Sequence, residues 1–84
     1  MNVIYKRKSY NIYKVGRGRF IVHNTKKEFK LGHTHIYNFN AAKKIISMDI
    51  NKEIPDHLSK YLIQSIIRIS TDTEYINKLK ELLV

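Results

Sequence analysis

The chain has 84 residues, no cysteine and a formal net charge of +9 at pH 7. This length leaves room for one hydrophobic core, and the lack of cysteine excludes disulfides, thiolate catalysis and cysteine-bound zinc. A hydrophobic content of 43% is typical of a globular fold rather than a disordered chain.

The positive charge is concentrated in the first half of the chain. Residues 1–44 hold eleven Lys and Arg residues and one acidic residue, Glu28, whereas residues 45–84 hold five basic and six acidic residues. A basic half beside a nearly neutral half predicts a basic surface that binds nucleic acid or an acidic protein surface. The alternative is that a Lys-, Ile- and Asn-rich chain reflects an AT-rich genome.

Location in the cell is predicted from what the sequence lacks. The first ten residues, "MNVIYKRKSY", contain no apolar segment of a secretion signal, and no run approaches the roughly 18 apolar residues of a membrane helix. With no disulfide to stabilise a small secreted domain, we expect a cytoplasmic protein without a membrane partner.

Three early segments are rich in β-branched and aromatic residues, which is typical of strands: "NVIY", "YNIYKV" and "RFIVH". The segment "GRG", residues 16–18, separates the last two, and either glycine can take the positive φ of a tight hairpin turn. A further short strand is predicted in "KEFKL", residues 27–31.

A two-residue hairpin loop would divide the hairpin into two faces. The face expected to meet the core carries Tyr13, Val15, Phe20 and Val22. The face expected to be exposed carries basic, aromatic, imidazole and aliphatic side chains: Tyr10, Ile12, Lys14, Arg19, Ile21 and His23.

After Gly32 the apolar period changes from two to about 3.6, which predicts helices. Asn38 is the predicted N-cap of the first helix, and Pro55 is expected in the first turn of the second. The second helix has so broad an apolar stripe that we expect Leu62 and Ile66 to be almost completely buried. Thr71 and Glu74 have the spacing of a capping box at the start of a third helix.

Strands followed by helices predict an α+β fold in a single domain, residues 1–84. About three strands within residues 1–31 form a small antiparallel sheet, which packs on three helices within residues 38–84.

His33 and His35 flank one threonine and would point the same way in an extended chain. Zinc needs three or four convergent ligands, and no third ligand stands at a readable spacing, so we predict no metal and no other cofactor. The favoured interpretation is that these imidazoles satisfy backbone groups at a turn. The alternative is metal-independent RNA cleavage by His23, His33 or His35, with Arg19 and Lys14 holding the phosphate.

The hairpin is the predicted binding site. Basic side chains that could bind phosphates alternate there with aromatic rings that could stack on nucleobases. The predicted nucleic-acid contacts are Lys6, Arg7, Lys8, Tyr10, Lys14, Arg17 and Arg19. The alternative is that these lysines only protect a solvated sheet edge against aggregation.

Two segments, "GHTHIYNFNAA" and "YLIQSIIRISTDTEY", resemble parts of short uncharacterised proteins encoded by phages, prophages and conjugative elements of low-GC Gram-positive bacteria. The resemblance implies a mobile-element origin, and small proteins of such elements often bind nucleic acid or block a host defence system such as a CRISPR nuclease. We therefore expect a non-enzymatic module that binds RNA or single-stranded DNA. The alternatives are an inhibitor of a host nuclease or of its guide RNA, and a small metal-independent ribonuclease.

Overall fold

The computed structural model describes residues 2–84 and confirms the α+β class. An antiparallel sheet contains β1 (Asn2–Arg7), β2 (Tyr10–Gly16), β3 (Arg19–Asn24) and β4 (His33–Ile36), in that order across the sheet. Three helices follow: α1 (Phe39–Asn51), α2 (Lys60–Ile69) and α3 (Thr73–Glu81). The sheet has four strands where about three were predicted, so the β region extends beyond residue 31 to Ile36.

The additional strand is β4, which includes both histidines of the H-x-H pair. Thr34 and Ile36 are buried on the side of the helices, whereas His33 and His35 point to the other side. The predicted strand in residues 27–31 is instead a turn, in which Glu28 O accepts hydrogen bonds from Leu31 N and Gly32 N at 3.0 and 2.8 Å. A four-residue strand in which three residues are polar is too short for its alternation to be recognised.

A β-bulge in β2 reverses the predicted face of that strand. Arg17 and Gly18 form the two-residue loop, and Gly18 supplies the positive φ of 66°. Lys14 pairs with Phe20 and Gly16 with Arg19, so Val15 is an extra residue on β2. One extra residue inverts the alternation of everything before it. Tyr10 and Ile12 therefore face the core, while Tyr13 and Val15, predicted to be internal, do not.

The core lies between one face of the sheet and the helices. Its centre consists of side chains with no exposed area, among them Ile12, Val22, Ile45 and Ile66. Ile66 is buried as predicted, but Leu62 is only partly buried at the edge of the core. α1 and α2 contact β3 and β4, and α3 packs on α2.

The helix starts are capped by side chains, not all of them the predicted ones. Asn38 caps α1 by accepting a hydrogen bond from Ala41 N at 2.9 Å, as predicted. Ser59 caps α2, so Pro55 lies in the preceding loop rather than in the first turn. Asp72, not Thr71, caps α3. None of the helices within residues 2–84 has the length and apolar character needed to span a membrane.

Candidate nucleic-acid interface

The helices pack against the face of the sheet that carries Ile12 and Val22, which leaves the opposite face without a helix. We call this opposite side the outer face. Its side chains, assigned from the strand register, are Val3, Lys6, Asn11, Tyr13, Arg19, Ile21, His23, His33 and His35. No residue of the four strands is Asp or Glu.

Cross-strand pairing arranges the central part of the outer face in two rows. In the first row Tyr13 lies opposite Ile21, and Ile21 lies opposite His35. In the second row Asn11, His23 and His33 follow in the same way. Directly opposed side chains in an antiparallel sheet have Cβ atoms about 4.5–5.5 Å apart, so these rows form a continuous surface.

Phe29, from the segment between β3 and β4, lies on this surface and connects its rings. Its ring centroid is 6.4 Å from that of Tyr13, 5.1 Å from that of His23 and 4.4 Å from that of His33. The Phe29 and His33 rings are nearly parallel, at 8°. His35 continues the series at 5.2 Å from His33. The outer face thus carries five rings that these contacts connect, which we call the ring cluster: Tyr13, His23, Phe29, His33 and His35.

Two of the histidines hold the segment before β4 against the sheet. His33 Nδ1 contacts Phe29 O, and His23 Nε2 lies 2.9 Å from Lys27 O. Because a carbonyl oxygen only accepts, each of these ring nitrogens donates. Of the H-x-H pair, His33 therefore satisfies a backbone group, as the favoured interpretation has it, but it does so on the sheet rather than at a turn before a helix. Within residues 2–84 the His35 ring makes no hydrogen bond.

The predicted basic residues form two groups at opposite ends of the hairpin. Lys6, Arg7 and Lys8 lie around the β1–β2 turn, whereas Lys14, Arg17 and Arg19 lie around the β2–β3 turn. The seven residues of β2 separate these turns by about 20 Å. The two groups also differ in direction. Lys6 and Arg19 belong to the outer face, while Arg7 and Lys14 pair within the rows of the core-facing side.

Tyr10 is not available for stacking, contrary to its predicted exposure. It is 5% exposed, and its hydroxyl donates a hydrogen bond to the carboxylate of Asp49, which is itself completely buried. Burial, followed by the hydrogen bond to Asp49, raises the pKa of the Tyr10 phenol far above its usual value. Tyr10 is a core residue because the bulge at Val15 turns it inward.

The proposed catalytic set is only partly brought together. His23 and His33 are cross-strand neighbours. Arg19, however, lies four residues from His23 along β3, about 13 Å, and Lys14 lies on the opposite side of the sheet. Within residues 2–84, no three His, Asp or Glu side chains converge so as to hold a metal ion.

Tyr13 and Phe29 are the interface candidates that the sequence interpretation missed. The unbulged register predicts Tyr13 in the core, and the sequence predicts Phe29 in a strand that does not form. The nearby bases Lys26, Lys27 and Lys30 were the available signal, since they surround Phe29 in sequence. Comparison of the chain with protein-family models, curated proteins and solved structures finds no match.

Proposed function

We propose that the protein binds single-stranded nucleic acid on the outer face of its sheet. The main support for the proposal is the ring cluster, which lies on a sheet face without a helix and is bordered by Lys and Arg side chains. Bases of an unpaired strand stack on aromatic and imidazole rings whatever their sequence, and an open sheet face presents such rings side by side.

The charges around the ring cluster favour a polyanion. Lys6 and Arg19 stand on the outer face itself, and Lys30 lies next to Phe29 in the segment before β4. Glu28 is the single acidic residue of that segment, and all other acidic residues follow residue 48 in the chain. A duplex hides its bases from stacking, so the rings favour a single strand. We propose the cytoplasm as the place of action, and a mobile element as the source of the chain.

Fluorescence anisotropy with a labelled oligouridylate of about eight nucleotides tests the proposal. His35 is the exposed ring at the edge of the cluster, and His35→Ala should weaken binding by about 1–3 kcal/mol, the worth of one stacked base. His57 is also exposed but belongs to the loop before α2, so His57→Ala is the matched control and should bind as the parent does.

Equal affinities of the two histidine variants would refute stacking on the outer face. Equal affinity for a duplex of the same length would mean that the protein binds phosphates only and does not stack on nucleobases. If only a host protein is retained on an affinity column, and nuclease treatment of the lysate does not release it, the function is instead inhibition of that protein.

The histidine contacts favour one second candidate, metal-independent cleavage of RNA. Because His33 Nδ1 donates to Phe29 O, the neutral His33 ring keeps a free lone pair on Nε2, the form that a general base requires. His35, whose ring lies 5.2 Å away, would serve as the general acid. The 2′-oxygen would lose its proton to His33 and attack phosphorus, while the 5′-oxygen leaves with a proton from His35.

RNA incubated with the protein in EDTA separates this candidate from simple binding. Cleavage would yield a 2′,3′-cyclic phosphate and a 5′-hydroxyl end, and it would be lost in His33→Ala and absent with DNA of the same sequence. Recovery of intact RNA removes the candidate and leaves the binding function as proposed.

A further inference from the structure

A groove of about 290 Å³ runs along the open edge of β4, between that strand and α2. Seven residues line it: His33, Thr34, His35, Tyr61, Gln64, Ser65 and Arg68. The four α2 members are spaced by one, three or four positions, so they form one stripe of the helix that faces the strand. None of the lining residues is acidic.

The backbone acceptors of this strand edge are already occupied. Arg68 Nε donates to His33 O at 2.9 Å, and the Tyr61 hydroxyl donates to His35 O. Burial, and then the neighbouring Tyr37, raise the pKa of the Tyr61 phenol, so its hydroxyl stays protonated and remains a donor. An incoming strand needs both donors and acceptors along an edge. This edge therefore does not suit strand addition.

Within the part of the chain that the structure describes, the donors of the same edge make no hydrogen bond. A strand residue directs its N–H and C=O to the same side, so the N–H groups of His33 and His35 also face the groove. Arg68 carries five N–H hydrogens, and besides the bond to His33 it makes one, at 3.4 Å, to Lys30 O. Three guanidinium hydrogens are left for a ligand.

A buried hydroxyl pair adds one more donor. Thr34 and Ser65 are 6% and 3% exposed, and their oxygens lie 2.9 Å apart across the floor of the groove. Two hydroxyl groups carry two hydrogens, and the bond between them uses one. Within residues 2–84 neither hydroxyl makes a further hydrogen bond, so the second hydrogen is left for a ligand.

We infer that the groove binds a phosphate group, and, resting on the function proposed above, that this is a phosphate of the strand whose bases stack on the ring cluster. A phosphate offers only acceptors and negative charge, which matches free N–H groups, an unpaired hydroxyl hydrogen and the Arg68 cation. The volume is at the lower limit for small-molecule pockets, about 300 Å³, which suits one charged group rather than a large cofactor. His33 and His35 belong to both the groove and the ring cluster, so one strand can reach both.

A carboxylate placed in the groove tests the inference without disturbing the fold. Gln64 is exposed and makes no hydrogen bond within residues 2–84, so Gln64→Glu should fold normally. Asn77, exposed on α3, provides the matched control, since Asn77→Asp makes the same isosteric change and the same change of charge.

The first measurement is an NMR titration with inorganic phosphate at constant ionic strength, with chloride as the reference anion. We expect a saturable shift of the Arg68 Nε–H and His35 N–H signals in the parent and in Asn77→Asp. In Gln64→Glu the affinity for phosphate should fall about tenfold or more, because two like charges then lie a few ångströms apart. A linear, non-saturating shift, or an equal response in both variants, overturns the inference.

The second measurement repeats the oligouridylate titration with these variants and separates the two proposals. Affinity should fall about tenfold in Gln64→Glu and remain within twofold in Asn77→Asp. If Gln64→Glu binds the strand as the parent does while His35→Ala does not, the groove is no phosphate site and the outer-face function stands. If phosphate saturates the groove but no strand binds, the phosphate site stands, its ligand is a free phosphate ester, and the proposed function falls.

Discussion

Asn24 is the polar residue that connects the end of β3 to the last turn of α2. It is 1% exposed, its Nδ2 donates to Ile69 O at 2.8 Å, and its Oδ1 accepts from Ser9 Oγ and Lys26 N at 2.9 and 3.1 Å. Ile69 is buried and Ser9 is partly buried, so the side chain matters more than one exposed amide would.

Asn24→Ala should lower the free energy of unfolding by about 2–4 kcal/mol, since it leaves a buried carbonyl and a part-buried hydroxyl without partners. Urea unfolding followed by circular dichroism measures the loss. Asn77→Ala, at an exposed helical position, should change stability by less than about 0.5 kcal/mol. Similar values for the two variants would mean that water replaces the Asn24 bonds.

Because of Tyr75, the free energy of unfolding should depend on pH in the alkaline range. It is 3% exposed, and its hydroxyl lies 2.7 Å from Glu53 O and 3.2 Å from Met48 O. Burial, and then the nearby Asp49 and Glu53 carboxylates, raise the pKa of the phenol to about 12. The unfolded chain, with a Tyr pKa of about 10, loses this proton first, so the contribution is complete below pH 10 and is lost as pH rises towards 12.

The difference in unfolding free energy between the parent and Tyr75→Phe should therefore be constant from pH 7 to about 10 and shrink between about pH 10 and 12. Equilibrium unfolding in urea at each pH measures both proteins. A difference that stays constant through pH 12 would show that the Tyr75 phenol ionises equally easily in both states.

At the scale of the element, α2 has one side in the core and the adjacent side along the groove. Ile66 has no exposed area, whereas Leu62 is partly buried and only touches the core cluster. Ile66→Ala should cost about 2–5 kcal/mol, and Leu62→Ala about half as much, because less apolar area leaves water at that position on folding. Thermal and urea unfolding compare the two. Equal losses would place Leu62 inside the core after all.

At the scale of the whole molecule, the charge distribution should determine how binding responds to salt. If Lys6, Arg19, Lys30 and Arg68 each neutralise one phosphate of a single strand, the logarithm of the affinity should fall with that of the salt concentration with a slope of about −3. Lys6→Glu/Arg19→Glu should weaken binding strongly and flatten this slope by about 1.4, because two of the four phosphate contacts are lost.

Lys78→Glu/Lys80→Glu is the control for that double reversal, since it makes the same change of charge on α3. Lys78 already lies 3.7 Å from Glu74, and α3 packs on α2 rather than on the sheet. We expect a much smaller effect there. If both double variants weaken binding equally, total charge rather than the outer face governs affinity.

Features that depend on local pattern can be predicted from the amino-acid sequence alone. These are the α+β class, the Asn38 cap, a tight hairpin turn within residues 16–18 and the buried position of Ile66, since propensity, capping and periodicity act over a few residues. The faces of β2, and hence the site, depend on contacts between distant parts of the chain. No pattern in the sequence around Val15 predicts the bulge, yet the bulge turns Tyr10 inward and Tyr13 outward. The pairing of β4 with β3, and the packing of α2 along the free edge of β4, join residues far apart in the chain. Only that pairing and packing place Phe29 on the sheet and Arg68 beside His33, because such contacts form from the shape and burial of the whole fold rather than from neighbouring residues.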